Sequence, residues 1–201
     1  MQNRDPRFFQ TFGMPGSPWI ITSGGDVTNY DALYAMLNQG LEQYAPSGYV
    51  LRKGYDDRAI YHIPQYEETP GIIYRYGEVL LNFAEAKAEL GTITQDDIDK
   101  SIKKLRDRVG MPNLVLSSIT TDPEWDFPTL SPIINEVRRE RRIELAAEGF
   151  RFDDIMRWAA ADELIVGKRP HGFKADQLAV NPYPVNAEGF LDPYQQKLPS
   201  G

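Results

Sequence analysis

Residues 131–154 read Ser131-Pro132-Ile133-Ile134-Asn135-Glu136-Val137-Arg138-Arg139-Glu140-Arg141-Arg142-Ile143-Glu144-Leu145-Ala146-Ala147-Glu148-Gly149-Phe150-Arg151-Phe152-Asp153-Asp154. Serine followed by proline is a helix start, with Ser131 as N-cap and Pro132 at the first helical position. The spacing predicts a helix to Glu148, stopped by Gly149. Along it, Arg138, Arg139, Arg141 and Arg142 are matched in number by Glu136, Glu140, Glu144 and Glu148, and Arg139 and Arg141 each have a carboxylate three residues away, within intrahelical reach. A nucleic-acid reader would leave its arginines unpaired to neutralise phosphates. Glu140, Glu144 and Glu148 line one row of the helix, and paired carboxylates are what a glycoside hydrolase uses as acid and nucleophile or base. A general acid needs a raised pKa, however, and surrounding arginines favour the ionised form. The stretch therefore reads as a salt-bridged structural helix.

Outward from it, all 15 prolines avoid residues 71–111 and 133–169, which leaves both blocks free to be helical. Tyr76, Val79, Leu80, Phe83 and Ala84 recur at three- and four-residue steps and predict a helix to about Leu90, ended by Gly91. Thr94 with Asp97 is a capping-box start for a second helix, whose stripe Ile98, Ile102, Leu105 and Val109 ends at Gly110-Met111-Pro112. A tight turn joins the two into an antiparallel αα-hairpin like one tetratricopeptide unit, with Ala84, Ala86 and Ala88 allowing close approach. Residues 113–130 read as an exposed loop carrying Trp125 and Phe127. Phe152, Ile155, Met156 and Ala159 predict a last helix to about Leu164. The tail from Gly167 is proline-rich and reads as an extended strip. Residues 1–70, loop-rich and aromatic, allow a short helix around Asp31–Tyr44.

The 201 residues carry 22 Lys+Arg against 29 Asp+Glu, a net charge of −7, so nothing attracts the chain generally to nucleic acid or anionic lipid. A hydrophobic fraction of 41% and a mean hydropathy of −0.47 are those of a globular chain with a real core. The absence of cysteine removes disulfides, thiolate metal sites and cysteine nucleophiles. No stretch approaches the ~18 apolar residues of a spanning helix. His62 and His171 have no second ligand at metal spacing. Asp122, Glu124 and Asp126 alternate like a calcium loop but lack its central glycine and closing glutamate. No P-loop, nucleophile elbow, dinucleotide fingerprint or zinc-protease motif occurs. Hence no catalytic residue, metal or cofactor is assigned.

What remains is the ring-rich first third, where Trp19, Tyr30, Tyr49, Tyr55 and Tyr66 sit among Asp26, Asn29, Asp31 and Arg52. Flat rings stack on the apolar faces of sugars while amides, carboxylates and guanidiniums take the hydroxyls. Core packing is the commoner role for any single ring. The candidate ligand-binding residues are Trp19, Asn29, Tyr30 and Tyr55.

Three stretches together resemble the C-terminal part of the SusD/RagB family. Tyr74-Arg75-Tyr76-Gly77-Glu78-Val79-Leu80-Leu81-Asn82-Phe83-Ala84-Glu85-Ala86 is similar to the family's Tyr-x-Arg-x-x-Glu-x-x-Leu-x-x-Ala-Glu-Ala helix, with one residue fewer ahead of the glutamate. Leu105 to Pro112 resembles the segment that follows, and Glu140 to Asp154 with Arg157-Trp158 resembles the family's most recognisable block. The resemblance implies a mainly α fold, SusD-like, with tetratricopeptide-like αα-hairpins, long aromatic-rich loops and an extended C-terminal strip. Its expected divisions are a loop-rich aromatic segment 1–70, a helical core 71–165 and a tail 166–201, together one region of a longer protein. It further implies a surface lipoprotein of a Bacteroidetes-type outer membrane that binds oligosaccharide, peptide or another nutrient without catalysis. The implied partner is a SusC-like TonB-dependent transporter, with no nucleic acid, and with membrane attachment only through a lipid anchor that this sequence does not contain.

Overall fold

The computed structural model describes residues 4–13, 16–29, 50–66, 68, 70–168, 171, 174–177 and 184–192. It divides into two compact units, one of Met1–Phe9 with Gly71–Leu164 and one of Gln10–Pro70 with Ile165–Gly201. The expected helix around Asp31–Tyr44 lies outside the described residues.

In the first unit, α2 (Tyr76–Glu89) packs along α5 (Pro132–Glu144) and receives α3 (Gln95–Lys100) and α4 (Ile102–Asp107) on the same side. A short helix α1 (Arg7–Thr11) precedes them in the chain. α2 ends in a Schellman closure: Thr92 N–H donates to the Lys87 carbonyl, Gly91 N–H to that of Ala88, and Gly91 takes φ +66°. The Thr94–Asp97 capping box forms as read. One apolar cluster joins Ala84, Ala88, Ile98, Ile102, Leu114 and Val137, and a second joins Leu80, Leu81, Leu105 and Leu145.

Several elements differ from the sequence reading. On α2, Tyr76, Val79 and Phe83 are exposed, while Leu81 and Glu85 are buried. The face is turned because Glu85 accepts from Trp158 Nε1 at 2.6 Å and Arg157 Nη2 at 2.7 Å, which draws that edge inward. The second helix breaks at Ser101, whose φ/ψ of −122°/−89° is not helical. Ser101 is fully buried and its hydroxyl donates to the Asp97 carbonyl at 2.6 Å, a local bond that competes with the regular ladder. α5 stops at Glu144 rather than Glu148, because Arg75 Nη2 takes the Glu144 carbonyl at 2.7 Å and Ala147 turns to φ +63°.

The last expected helix is likewise two pieces, α6 (Phe150–Arg157) and α7 (Ala161–Leu164), separated by Ala159 at φ +49°. Its buried position is Asp154, not Phe152 or Met156. In the loop before α5, Phe127 is buried rather than exposed. The Asn135 side chain fixes it there by accepting from Phe127 N–H at 3.2 Å and donating to its carbonyl at 2.8 Å.

The second unit is built on two small antiparallel ribbons. β1 (Phe12–Gly13) pairs with β4 (Val50–Leu51), and β2 (Pro18–Ile21) pairs with β3 (Val27–Asn29) through a turn at Thr22–Asp26. Ile21 N–H also reaches the Asp57 carbonyl at 2.6 Å, tying β2 to the segment that carries Tyr55. Near the C-terminal end, Val185 bridges Leu191 and Lys174 bridges Phe190.

Candidate functional site

The β2–β3 register slips between Pro18 and Ile20, so Trp19 sits on a bulge. A bulge re-aims the side chain at its position. The indole then lies over Gly13, where a Cβ would come 2.8 Å from Trp19 Cζ3, so a side chain there would push the ring away. Tyr55 follows a turn in which its N–H donates to the Arg52 carbonyl at 2.8 Å and Gly54 supplies φ +80°. These two local devices bring rings 36 residues apart into an offset stack, with centroids 4.3 Å apart and planes 27° apart. The Tyr55 hydroxyl donates to the Trp19 carbonyl at 2.9 Å. Burial pushes that hydroxyl above the ordinary phenol range, with Arg52 opposing and Asp57 assisting.

His62 extends the stack on Tyr55, with centroids 5.0 Å apart, and its Nε2 lies 2.9 Å from the Asp56 carbonyl oxygen. Polar groups ring this assembly. Arg52 pairs with Asp57 at 3.4 Å, and Arg58 pairs with Asp56 at 2.7 Å while lying 4.4 Å over the Tyr61 ring. The Arg58 side chain and backbone N–H hold the Asp56 carboxyl down at about 2, so it is an acceptor at any ordinary pH. Stacked rings with a carboxylate and guanidinium rim present both donors and acceptors to a polyhydroxylated ligand.

Of the four candidate residues, the structure joins Trp19 and Tyr55. Asn29 ends β3, with its side chain outside the described residues, as is Tyr30 together with Tyr49 and Asp31. The sequence reading missed His62, Asp56, Arg58 and Tyr61; the run Tyr55-Asp56-Asp57-Arg58, three charged groups beside a tyrosine, was the available signal.

The glutamate row of α5 is occupied differently. Glu140 and Glu144 are almost wholly buried. Glu140 accepts from Arg7 Nη1 at 2.6 Å and Arg106 Nε at 2.8 Å. Glu144 accepts from Arg7 Nη1 at 3.1 Å, Arg75 Nη1 at 2.7 Å and Arg108 Nη2 at 2.8 Å. Burial opposes the charge of Arg7, yet its bonds to Asp5, Glu140 and Glu144 outweigh it and raise its pKa. Guanidiniums thus fill the space that a hydrolase pair would leave for sugar and water. The structural reading of the row holds, but with a different pairing: apart from Arg139–Glu136, the arginines of α5 described here pair with other elements, Arg138 with Glu89, Arg141 with Asp154 and Arg142 with Asp126. Among the described residues no group of three or more His, Asp or Glu side chains is placed to hold a metal ion. Nor does any described helix have the length and apolarity to cross a membrane.

A sequence profile of the SusD family matches residues 1–192, and the chain belongs to that family. It is 29% identical over 102 residues to SusD-like protein P38 of Formosa agariphila, a match covering 51% of this chain and 20% of that protein. Among solved structures, it is similar to a SusD-like protein from Bacteroides fragilis, with a TM-score of 0.60 and 31% identity over 81% of this chain and 29% of the other. It is also similar to the selenomethionine form of BT4246, with a TM-score of 0.67 and 26% identity over 94% of this chain and 32% of the other. The chain therefore spans a fifth to a third of the length of these relatives.

Proposed function

We propose that this chain forms part of a non-catalytic binding protein, displayed on the outer membrane surface, which captures an oligosaccharide or related nutrient for a SusC-like TonB-dependent transporter. Membership of the SusD family over residues 1–192 carries the reading. The Trp19–Tyr55–His62 stack with its Asp56, Asp57, Arg52 and Arg58 rim supports it as a local ligand surface, rigid enough to hold a sugar face and polar enough to take its hydroxyls. The saturation of Glu140 and Glu144 by arginines argues against hydrolysis by that pair.

The test is electrophoresis of the chain through native gels cast with a panel of neutral polysaccharides, with each mixture assayed for reducing ends. Retardation by at least one glycan without release of sugar is expected. Release of reducing ends by the wild type would replace this reading with a hydrolase.

A further inference from the structure

The chain is acidic overall, yet one small pocket in the helical unit has the opposite sign. It lies among the loop 124–127, α5 and α6, and is lined by Arg138, Arg139, Arg142 and Arg151 against only Glu124 and Asp126. The two carboxylates do not satisfy the four cations. Asp126 is taken by Arg142 at 2.7 Å, and Arg139 turns away to Asp122 at 2.7 Å and Glu136 at 3.3 Å.

Arg138 is held rigidly, its guanidinium between the Phe127 and Trp158 rings at 4.5 and 4.4 Å and its Nη2 bonded to Glu89. Its Nε is buried and has no acceptor among the described residues. Arg151 makes no ion pair among the described residues, the neighbouring Asp154 being bound by Arg141 and Arg157. Burial first, then the charge of Arg142, lowers the pKa of Arg151, the response of a cation that lacks a direct counter-ion. A buried donor without an acceptor, on Arg138, and a half-buried guanidinium whose one contact among the described residues is the Trp158 ring at 5.9 Å, on Arg151, both belong to residues that line one cavity, and one anion there would complete both.

Size limits what that anion is. The cavity is about 20 Å³, room for one oxygen of an oxyanion and not for a sugar ring. Arg139 also lines a cleft of about 450 Å³ with Ser118, Thr120, Thr121 and Glu136, which has the volume and the hydroxyl lining to take a ring. The acidic residues in both linings, Glu124 and Asp126 in one and Asp122 and Glu136 in the other, disfavour a polyphosphate strand.

We infer that this arginine pocket takes the carboxylate or sulfate group of an acidic saccharide whose ring rests in the adjoining cleft. The inference rests on the glycan-binding reading for its choice of saccharide. Titration calorimetry of the chain with sodium glucuronate, sodium sulfate and glucose, at constant ionic strength set with sodium chloride, tests it on the wild type and on Arg151→Gln. Glucuronate should bind at least about tenfold more tightly than glucose, and Arg151→Gln should lose about tenfold or more, the worth of a hydrogen bond to a charged group. The melting temperature of Arg151→Gln should be nearly unchanged, since no ion pair is broken and the Trp158 ring, 5.9 Å away, keeps Arg138 and Arg157.

Equal glucuronate affinity in the two proteins, or none in either, overturns the inference. Binding of sulfate without glucuronate marks a site for free inorganic oxyanions and overturns the saccharide part. If neutral glycans still retard the chain while glucuronate fails, only this inference falls. Glucuronate binding that depends on Arg151, with no neutral glycan retained, keeps the pocket and removes the ring surface as a site.

Discussion

Replacing Glu144 by Gln changes one heavy atom at the centre of the helical unit and should be among its most damaging isosteric changes. Its carboxylate is 2% exposed and receives three guanidiniums, from Arg7, Arg75 and Arg108. Glutamine keeps the volume but removes the charge and turns an amide N–H₂ toward at least one guanidinium. Breaking a buried pair from one side costs about 3–5 kcal/mol, because the remaining charge stays desolvated without its partner. Here Arg7 keeps Asp5 and Glu140, and the Arg108 side chain is 52% exposed and can turn to water, so the low end applies, about 3 kcal/mol. At roughly 2–4 °C per kcal/mol for a chain of this size, the melting temperature should fall by roughly 6–12 °C. Thermal and urea unfolding followed by circular dichroism measure it, with Arg108→Ala as the control, expected within about 1 kcal/mol of wild type because Arg108 is the half-exposed partner and Glu144 keeps Arg7 and Arg75. A Glu144→Gln loss no larger than that of the control would refute the reasoning that the network is a buried, cooperative tie.

Gly77→Ala should destabilise by about 1 kcal/mol although alanine is the better helix former by a similar amount. Its Cβ would come 2.4 Å from Arg75 Nη1, displacing a side chain pinned to Glu144 and Glu148; a gain in urea midpoint would contradict this. Asn135→Ala strands the buried Phe127 N–H and carbonyl and should cost about 2–3 kcal/mol in equilibrium unfolding, whereas a loss under about 0.5 would mean that the loop is held otherwise. Acid should weaken the fold in a defined window. Hydrogen bonds from Thr94 hold Asp97 below 3.8, those from Gln95 and Asn113 do the same for Asp99, and Arg58 holds Asp56 at about 2. For each depressed group the unfolded state takes its proton first as pH falls. Stability should thus be level above about 3.8 and decline toward about 2, with a shallower decline in Asp97→Asn; a rise in stability over that window would have the sign wrong.

Local signals in the sequence were legible where the chemistry is local. Thr94 and Asp97, three residues apart, make the same capping box in any context, and Pro132 and Gly91 bound their helices as glycine and proline do. What was hidden was set by distant partners. Nothing beside Ser101 announces a break that depends on its burial. The inward face of α2 includes the predicted Leu80 and Ala84 but is turned toward Leu81 and Glu85 by Glu85 meeting Arg157 and Trp158, more than 70 residues on, so hydrophobic period alone located only half of it. Arg141 had Glu144 within helical reach yet pairs closely with Asp154 of α6, where both side chains are buried, and Arg138 and Arg142, which had no carboxylate at helical spacing, pair with Glu89 and Asp126. In the aromatic unit, ring content pointed to Trp19 and Tyr55, but their stacking arises from a bulge and a glycine turn. The place of His62 beside Tyr55 is legible only once those rings are placed.

Calorimetric titration of a neutral glycan that retards the chain, into wild type and Tyr55→Ala, with the cell contents assayed afterwards for reducing ends, tests the central claim most directly. The account predicts measurable binding by wild type, at least about tenfold weaker binding by the variant that loses the ring between Trp19 and His62, and no new reducing ends in either. Equal affinity in the two proteins, or sugar released in the cell, would contradict it.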